Sequence, residues 1–175
     1  MRKIKFKAWL KTESRWLEDV EFYLDAFGRV FTTQYSGLGE PYTDITDIVA
    51  VVQFTGLHDK NGEEIYEGYV VQKISWVTQD TRKAEKLYKV GDKVKAYDEK
   101  EYTIVEIEPN SNKGYEYINL CKIWIDDYEK VEFNPKYGFL PFADSPENCG
   151  CCGRGEDPTE CRVVGNIYEN PELLK

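Results

Sequence analysis

The sequence has 175 residues, of which 41% are hydrophobic and 14% aromatic, and its formal net charge is −9. That length suits one large domain or two small ones. No apolar run approaches the ~18 residues of a membrane-spanning helix, and the basic N-terminus lacks the apolar segment of a secretory signal. These observations exclude a helical membrane protein and a secreted one, so we expect a cytoplasmic protein.

The charge is unevenly distributed along the chain. Residues 1–11 contain five lysines or arginines and no acid, whereas residues 12–50 contain eight acids and two bases. An acidic surface repels nucleic-acid phosphates and attracts basic partners. The balance therefore favours a basic protein partner over direct nucleic-acid binding, although acidity also serves solubility alone.

The N-terminal residues have the pattern of short strands. Ile4, Phe6 and Ala8 alternate with lysines, which predicts a half-buried strand whose lysines face solvent. A β-hairpin is predicted over residues 20–33, with its turn at residues 25–28. The thirteen tyrosines and eight phenylalanines of the chain also favour strands over helices.

The central stretch, residues 51–71, has the pattern strand, turn, strand. Residues 51–54 form an apolar run, and residues 69–77 give a second, longer strand. Between them, residues 55–56 and 59–62 carry turn signals, because an Asn-Gly pair tolerates positive φ. This stretch predicts a folding element and contains no nucleophile, phosphate loop or acid–base pair.

The pattern changes after Val77. Residues 80–87 combine a capping residue with helix formers and predict a short helix. Residues 90–97 and 102–108 predict a β-hairpin, and three further short strands are expected over residues 115–133. We therefore divide the chain into an N-terminal β-rich part (1–78), an inserted β-unit (79–135), and a Cys-rich loop with a C-terminal strand that completes the fold (136–175).

Four of the five cysteines lie within thirteen residues near the C-terminus. Cys149 and Cys152 have the C-x-x-C spacing of a zinc knuckle, and the glycine that follows lets backbone N–H groups approach the sulfur atoms. Cys161 supplies a third thiolate. The fourth ligand is Cys151 or a residue brought in by folding, such as His58. The sequence thus predicts a closed, structural zinc site.

Other interpretations of this cysteine cluster stay open. The thiols can be free within a Gly-rich turn, because no second C-x-x-C is present, or they can form a disulfide or redox pair. A catalytic zinc is not expected, since His58 is the single histidine. The same shortage argues against a Ser-His or Cys-His hydrolase, so we assign no catalytic residue and expect a non-enzymatic protein.

Three sequence blocks resemble the YopX-like family of phage and prophage proteins. The blocks are MRKIKFKAW (1–9), QFTGLHDKNGEEIYEG (53–68) and VGNIYENPELL (164–174), and they occur in the family's order. The family usually has aspartate where Tyr69 stands, and a long insertion follows Val77 here. The resemblance implies a phage origin, and hence the host cytoplasm, but no enzyme activity. It also implies a mainly β fold with little helix, an N-terminal β subdomain preceding a C-terminal part of the SH3-like β-barrel type.

These observations lead to three functional hypotheses. The first is a phage-encoded inhibitor that binds a basic host defence protein, such as an RNA-guided (CRISPR–Cas) nuclease, and blocks nucleic-acid access to its positive channel. The second is a nucleic-acid-binding accessory module in phage replication or regulation, using the basic N-terminal strand and residues 82–100. The third is a self-assembling structural protein, a homo-oligomer. The sequence assigns no partner-binding surface, although Trp16, in a polar context, is the tryptophan with the best prospect of exposure.

Overall fold

Strands dominate the computed structural model, which describes residues 3–19, 21–32, 42–80, 88–95, 100–108, 113–115, 118–144 and 155–175. The strands within these ranges are β1 (Phe6–Leu10), β2 (Arg15–Trp16), β3 (Phe22–Leu24), β4 (Val30–Thr32), β5 (Thr43–Asp44), β6 (Val49–His58), β7 (Glu64–Tyr66), β8 (Tyr69–Asp80), β9 (Lys93–Lys95), β10 (Glu101–Ile107), β11 (Lys113–Tyr115), β12 (Ile118–Lys130), β13 (Glu132–Asn134), β14 (Gly138–Leu140) and β15 (Cys161–Asn166). Short 3-10 helices occupy Thr46–Ile48, Pro158–Glu160 and Pro171–Leu174. The prediction of a mainly β fold is confirmed. The short helix expected at residues 80–87 lies mostly outside the described residues, and its first residue, Asp80, ends β8.

The described strands form four sheets. One is four-stranded in the order β2-β1-β6-β7, one is three-stranded in the order β3-β4-β5, and β13 pairs with β14. The largest has the order β15-β8-β12-β10-β9, with β11 also paired to β12. All pairs are antiparallel. The largest sheet curls into half a barrel, in agreement with the barrel-like C-terminal part that was expected.

Three hydrophobic clusters lie beneath these sheets. The N-terminal cluster contains Ala8, Leu10, Leu17, Phe22, Val30, Ile45 and Val49. The central cluster contains Val52, Phe54, Ile65, Tyr66, Tyr69, Val71, Val131, Phe139 and Cys161. A third cluster, of Val94, Ile104, Ile123 and Ile125, lies entirely within residues 79–135. These residues therefore bury a core of their own, while β12 pairs along its length with β8 of the preceding part.

One long strand replaces the short strands expected over residues 115–133. β12 runs unbroken from Ile118 to Lys130 before β13 begins. The two acids at positions 126 and 127 do not end this strand. They lie in a bulge between Trp124 and Tyr128, where the register of the pairing with β8 shifts. Asp126 accepts a hydrogen bond from the backbone N–H of Thr103, at 2.5 Å, and so links β12 to β10. A β-bulge of this kind places a polar residue without interrupting the sheet.

The turn predicted at residues 55–56 is also a bulge. β6 continues through both residues to His58, and its register against β7 shifts between Phe54 and His58. Gly56 has a φ of +88°, a conformation suited to a bulge as well as to a turn. The Thr55 hydroxyl donates to the carbonyl of Ile65, at 2.8 Å, and thereby holds the distorted strand against its neighbour.

The row of solvent-facing lysines predicted for the first strand is found only in part, because Lys3 is exposed but Lys5 and Lys7 are half-buried. Ala8 is buried as expected, but Ile4 and Phe6 are 67% and 37% exposed. Lys5 pairs with Glu64, and the ammonium of Lys7 donates to the Tyr69 hydroxyl at 2.7 Å. Phe6 pairs with Gln53 of β6, but this backbone pairing leaves its ring partly exposed. Lys5 reaches Glu64 on β7, and Lys7 reaches Tyr69 on β8.

The three blocks that resemble the YopX-like family meet around Gly68. Its N–H donates to the carbonyl of Val131 at 2.7 Å, and its carbonyl accepts from the N–H of Ile167 at 2.9 Å. The ring of Tyr168 packs against Trp9 and Trp16, with centroid distances of 5.8 and 5.6 Å. Trp16 is therefore half-buried against the core and not exposed as predicted. Residues of all three blocks therefore contact one another in the folded protein, and we call this region the junction of the blocks.

A candidate interaction surface

The predicted zinc ligands are only partly visible in the structure. Cys149, Cys151 and Cys152 lie outside the described residues. Cys161 begins β15, is 1% exposed and packs in the central cluster. Burial raises the pKa of its thiol to about 12, and the charge of nearby Glu156 acts in the same direction. Among the residues that are described, no three His, Cys, Asp or Glu side chains are arranged to hold a metal ion. The zinc site, with its fourth ligand, stays a prediction.

Alkylation of the cysteines tests whether Cys161 belongs to such a site. We expect Cys161 to resist iodoacetamide at about pH 8 in the folded protein, with or without chelator, because burial keeps its thiol protonated. Cys149 and Cys152, if they bind zinc, should be protected until a chelator removes the metal. Peptide mapping by mass spectrometry distinguishes the sites. Labelling of Cys161 on chelation alone, with the fold intact, would place it among the metal ligands.

The basic N-terminal strand lines a groove of about 860 Å³ with Lys3, Lys5 and Lys7. Two of these lysines are engaged by the protein itself. Lys5 pairs with Glu64, and its hydrogen bond lowers the pKa of that carboxyl group. The ammonium of Lys7 lies 4.3 Å from the centroid of the Tyr66 ring. The strand therefore offers less free positive charge to a phosphate backbone than its composition suggests.

Among the described residues of the N-terminal part, a group of large aromatic side chains, several of them exposed, lies on the β3-β4-β5 sheet. We call Tyr23, Phe27, Phe31 and Tyr42 the aromatic face. Tyr23 and Phe31 are opposite each other in the β3–β4 pair, and their rings stack at 5.1 Å. Tyr42 meets Tyr23 edge-on, also at 5.1 Å. Phe27 is 86% exposed and Tyr42 is 50% exposed. Rigid aromatic side chains that are partly exposed to solvent are common anchors of protein interfaces.

Acidic groups border the aromatic face. Asp44 is opposite Phe31 in the β4–β5 pair, and it lines a groove of about 530 Å³ together with Arg29 and Asp47. Hydrogen bonds from the side chain and backbone of Thr46 lower the pKa of Asp44, so this carboxylate is charged at neutral pH. Aromatic rings beside carboxylates attract guanidinium and ammonium groups, through cation–π contact and ion pairing.

The alternation of side chains between the two faces of β3, and not the tryptophans, is the sequence signal that could have revealed this surface. β3 contains Phe22, Tyr23 and Leu24 in succession, so both faces of the strand are apolar. Phe22 enters the N-terminal cluster, and Leu24 packs against it. Tyr23 must then point away from the core, because successive side chains alternate between the two faces. Exposure predicted from the tryptophans alone therefore misses the tyrosines and phenylalanines of this surface.

The aromatic face is also held by its turn. Residues 25–28 form the predicted hairpin turn, in which Asp25 Oδ1 accepts the N–H groups of Phe27 and Arg29 at 2.8 and 2.9 Å. The same arrangement recurs in the predicted turn at residues 59–62, where Asp59 Oδ1 accepts the N–H groups of Asn61 and Glu63 at 2.7 and 2.9 Å. Both turn predictions are confirmed. Because these bonds are made to the backbone, they do not depend on the neighbouring side chains.

No helix of the described residues is long and apolar enough to cross a membrane.

Comparison with known proteins identifies the family. A search of curated proteins found no match. Among solved structures, the chain is similar to that titled "Crystal structure of protein EF1440 from Enterococcus faecalis", with 24% identity, 99% of each chain covered and a TM-score of 0.39. A family model described as "YopX protein" matches residues 5–131 and 114–175. The chain therefore belongs to the YopX family.

Proposed function

We propose that this YopX-family protein is a phage-encoded, non-enzymatic interaction protein that binds a basic host protein in the host cytoplasm. The observation that carries the proposal is the aromatic face, with exposed rings next to charged carboxylates. A host defence protein such as an RNA-guided nuclease suits this surface, because its nucleic-acid channel is strongly positive. Binding there would block nucleic-acid access without any catalytic group.

The charges around the aromatic face favour a protein partner over nucleic acid. Exposed aromatic rings also stack on bases, but binding sites for single strands add free positive charge along the backbone. Residues 12–50 hold eight acids and two bases, and both bases are ion-paired. Arg15 pairs with Glu13 and Glu21, and Arg29 pairs with Asp25. This part of the surface would repel phosphates.

Substitution of the exposed rings tests the proposal. We expect Phe27→Ser with Tyr42→Ser to weaken capture of the host partner about tenfold or more, because interface anchors contribute ~2 kcal/mol or more each. The free energy of unfolding should change by less than about 1 kcal/mol, since both rings are largely exposed. Capture by the tagged protein from host lysate, followed by titration with the purified partner, measures the effect.

Phe133→Ser is the matched control. Phe133 is 52% exposed but belongs to β13, outside the β3-β4-β5 sheet. Its substitution removes an exposed aromatic ring without changing charge, and it should leave capture intact. Equal loss in both variants would contradict the assignment of the surface. Recovery of nucleic acid alone, with binding that falls steeply with salt, would instead support the accessory-module hypothesis. A homo-oligomer seen by light scattering, with no host protein captured, would support self-assembly.

A further inference from the structure

One basic side chain lies on the aromatic face itself. The guanidinium carbon of Arg29 is 5.4 Å from the centroid of the Phe31 ring and 5.8 Å from that of Phe27. Its Nε donates to Asp25 Oδ2 at 2.7 Å. The face therefore already holds one guanidinium group by the two interactions, ring contact and carboxylate pairing, that it would use for an arginine of a partner.

The turn at residues 59–62 has the same local hydrogen bonds, and it shows that the second carboxylate oxygen of such an aspartate can bind a distant group. Asp59 Oδ2 accepts the backbone N–H of Val163, at 2.9 Å, and so binds a strand that lies far away in the sequence. At the equivalent place in the first turn, Asp25 Oδ2 accepts from Arg29, four residues away. In both turns Oδ1 is occupied by backbone N–H groups. Asp25 Oδ2 is thus an oriented acceptor whose local donor is a surface side chain.

The contact made by Arg29 is readily exchanged. Its side chain is 55% exposed, and an exposed ion pair contributes little to stability. Asp25 keeps its orientation when the side chain of Arg29 leaves, because the backbone N–H groups of Phe27 and Arg29 still hold Oδ1. The carboxylate and the rings of Phe27 and Phe31 would then remain in place for a second guanidinium group.

We propose that Arg29 is an internal placeholder, and that an arginine of the partner replaces it on Phe27, Phe31 and Asp25. The proposal rests on the proposed function of the aromatic face and specifies its partner as an arginine-bearing segment. A lysine suits the place less well, because a planar guanidinium stacks on a ring while it donates to a carboxylate, whereas an ammonium is a compact, strongly hydrated charge.

The test is a titration of a short arginine-rich peptide, and of its lysine-substituted counterpart, into the full chain and its variants. We expect Arg29→Lys to bind the arginine peptide roughly three- to tenfold more tightly than the unmodified protein does, because the substituted side chain competes less well for the rings. Net charge is the same in both proteins, so general electrostatic attraction does not account for a gain. The lysine peptide should bind more weakly and gain less from the substitution.

Arg15→Gln and Arg29→Gln form the charge-matched pair. Each removes one positive charge from the same part of the chain, but Arg15 pairs with Glu13 and Glu21, which do not belong to the aromatic face. We expect Arg29→Gln to strengthen peptide binding clearly more than Arg15→Gln. Equal gains would show an effect of net charge alone and overturn the placeholder. Loss of binding in Arg29→Lys, with unchanged melting, would make Arg29 a supporting residue and also overturn it.

Failure of the placeholder differs from failure of the proposed function. If Phe27→Ser with Tyr42→Ser abolishes capture of the host protein but Arg29→Lys leaves peptide affinity unchanged, the face binds its partner without exchanging Arg29. If capture does not depend on these rings, the proposed function fails, whatever the peptide shows. Absence of peptide binding in both the unmodified protein and Arg29→Lys also overturns the placeholder, since the vacated rings and Asp25 should then hold arginine.

Discussion

Replacing Gly68 with alanine is expected to lower the free energy of unfolding by about 2–4 kcal/mol. Gly68 has a φ of +78°, where a residue with a β-carbon is strained. An added β-carbon would also lie 3.3 Å from Cε2 of Tyr168 and 3.5 Å from Cδ1 of Ile167. Tyr168 cannot retreat easily, because its ring is packed against both Trp9 and Trp16.

Gly28→Ala separates backbone strain from packing. Gly28 has nearly the same φ, +80°, but no heavy atom lies within 4 Å of its added β-carbon. We expect this variant to lose only the strain component, about 1–2 kcal/mol. Chemical denaturation of both variants measures the difference, which is the cost of crowding at the junction of the three family blocks. Equal losses would show that Tyr168 and the two tryptophans packed against it move aside without cost, and that Gly68 is required only for its backbone conformation.

Asp59→Ala is the second substitution with a large expected effect, about 2–4 kcal/mol of unfolding free energy. Asp59 is 4% exposed and accepts three backbone hydrogen bonds, from Asn61, Glu63 and Val163. Truncation leaves these N–H groups without their acceptor. The bond to Val163 matters most, because it joins the β6–β7 turn to β15 across more than a hundred residues of sequence. The nearby bond from the Lys60 N–H to the Cys161 carbonyl, at 3.0 Å, depends on the same attachment.

Asp25→Ala is the comparison that isolates this attachment. Asp25 makes the same two local bonds to backbone N–H groups, but its other oxygen pairs with the exposed side chain of Arg29. We expect a loss of about 1 kcal/mol, typical of local turn or cap bonds near the surface. Thermal and denaturant melts of the two variants, with amide exchange at Val163 as a local probe, test the difference. Fast exchange at Val163 in Asp59→Ala alone would confirm the link, whereas equal destabilisation would contradict it.

Features governed by a few adjacent residues were predictable from the sequence. The hairpin turns at residues 25–28 and 59–62 follow from an aspartate that accepts local N–H groups and a glycine with positive φ three residues later. The β character of the chain follows from apolar alternation and aromatic content. The family blocks were recognisable for the same reason, since each is a short contiguous run that builds one local element.

Features governed by distant partners were not predictable in this way. The turn signal at residues 55–56 became a bulge because β7 was available to pair on both sides of it. Trp16 is half-buried because Tyr168, from the other end of the chain, packs against it. Lys5 and Lys7 are bound within the fold because Glu64 and Tyr69 lie beside them. In each case the local pattern permits two outcomes, and a contact across the fold selects one.

The mainly β character, the turns at residues 25–28 and 59–62 and the family of this protein are all readable from the sequence, because these properties depend on local backbone preferences and contiguous motifs. Which aromatic residues are core and which form the aromatic face depends on tertiary packing. Where only one face of a sheet is covered, a strand with apolar residues on both sides buries one set of them, and the choice depends on which side the rest of the chain packs against. Phe22 met the N-terminal cluster, and Tyr23 was left outside.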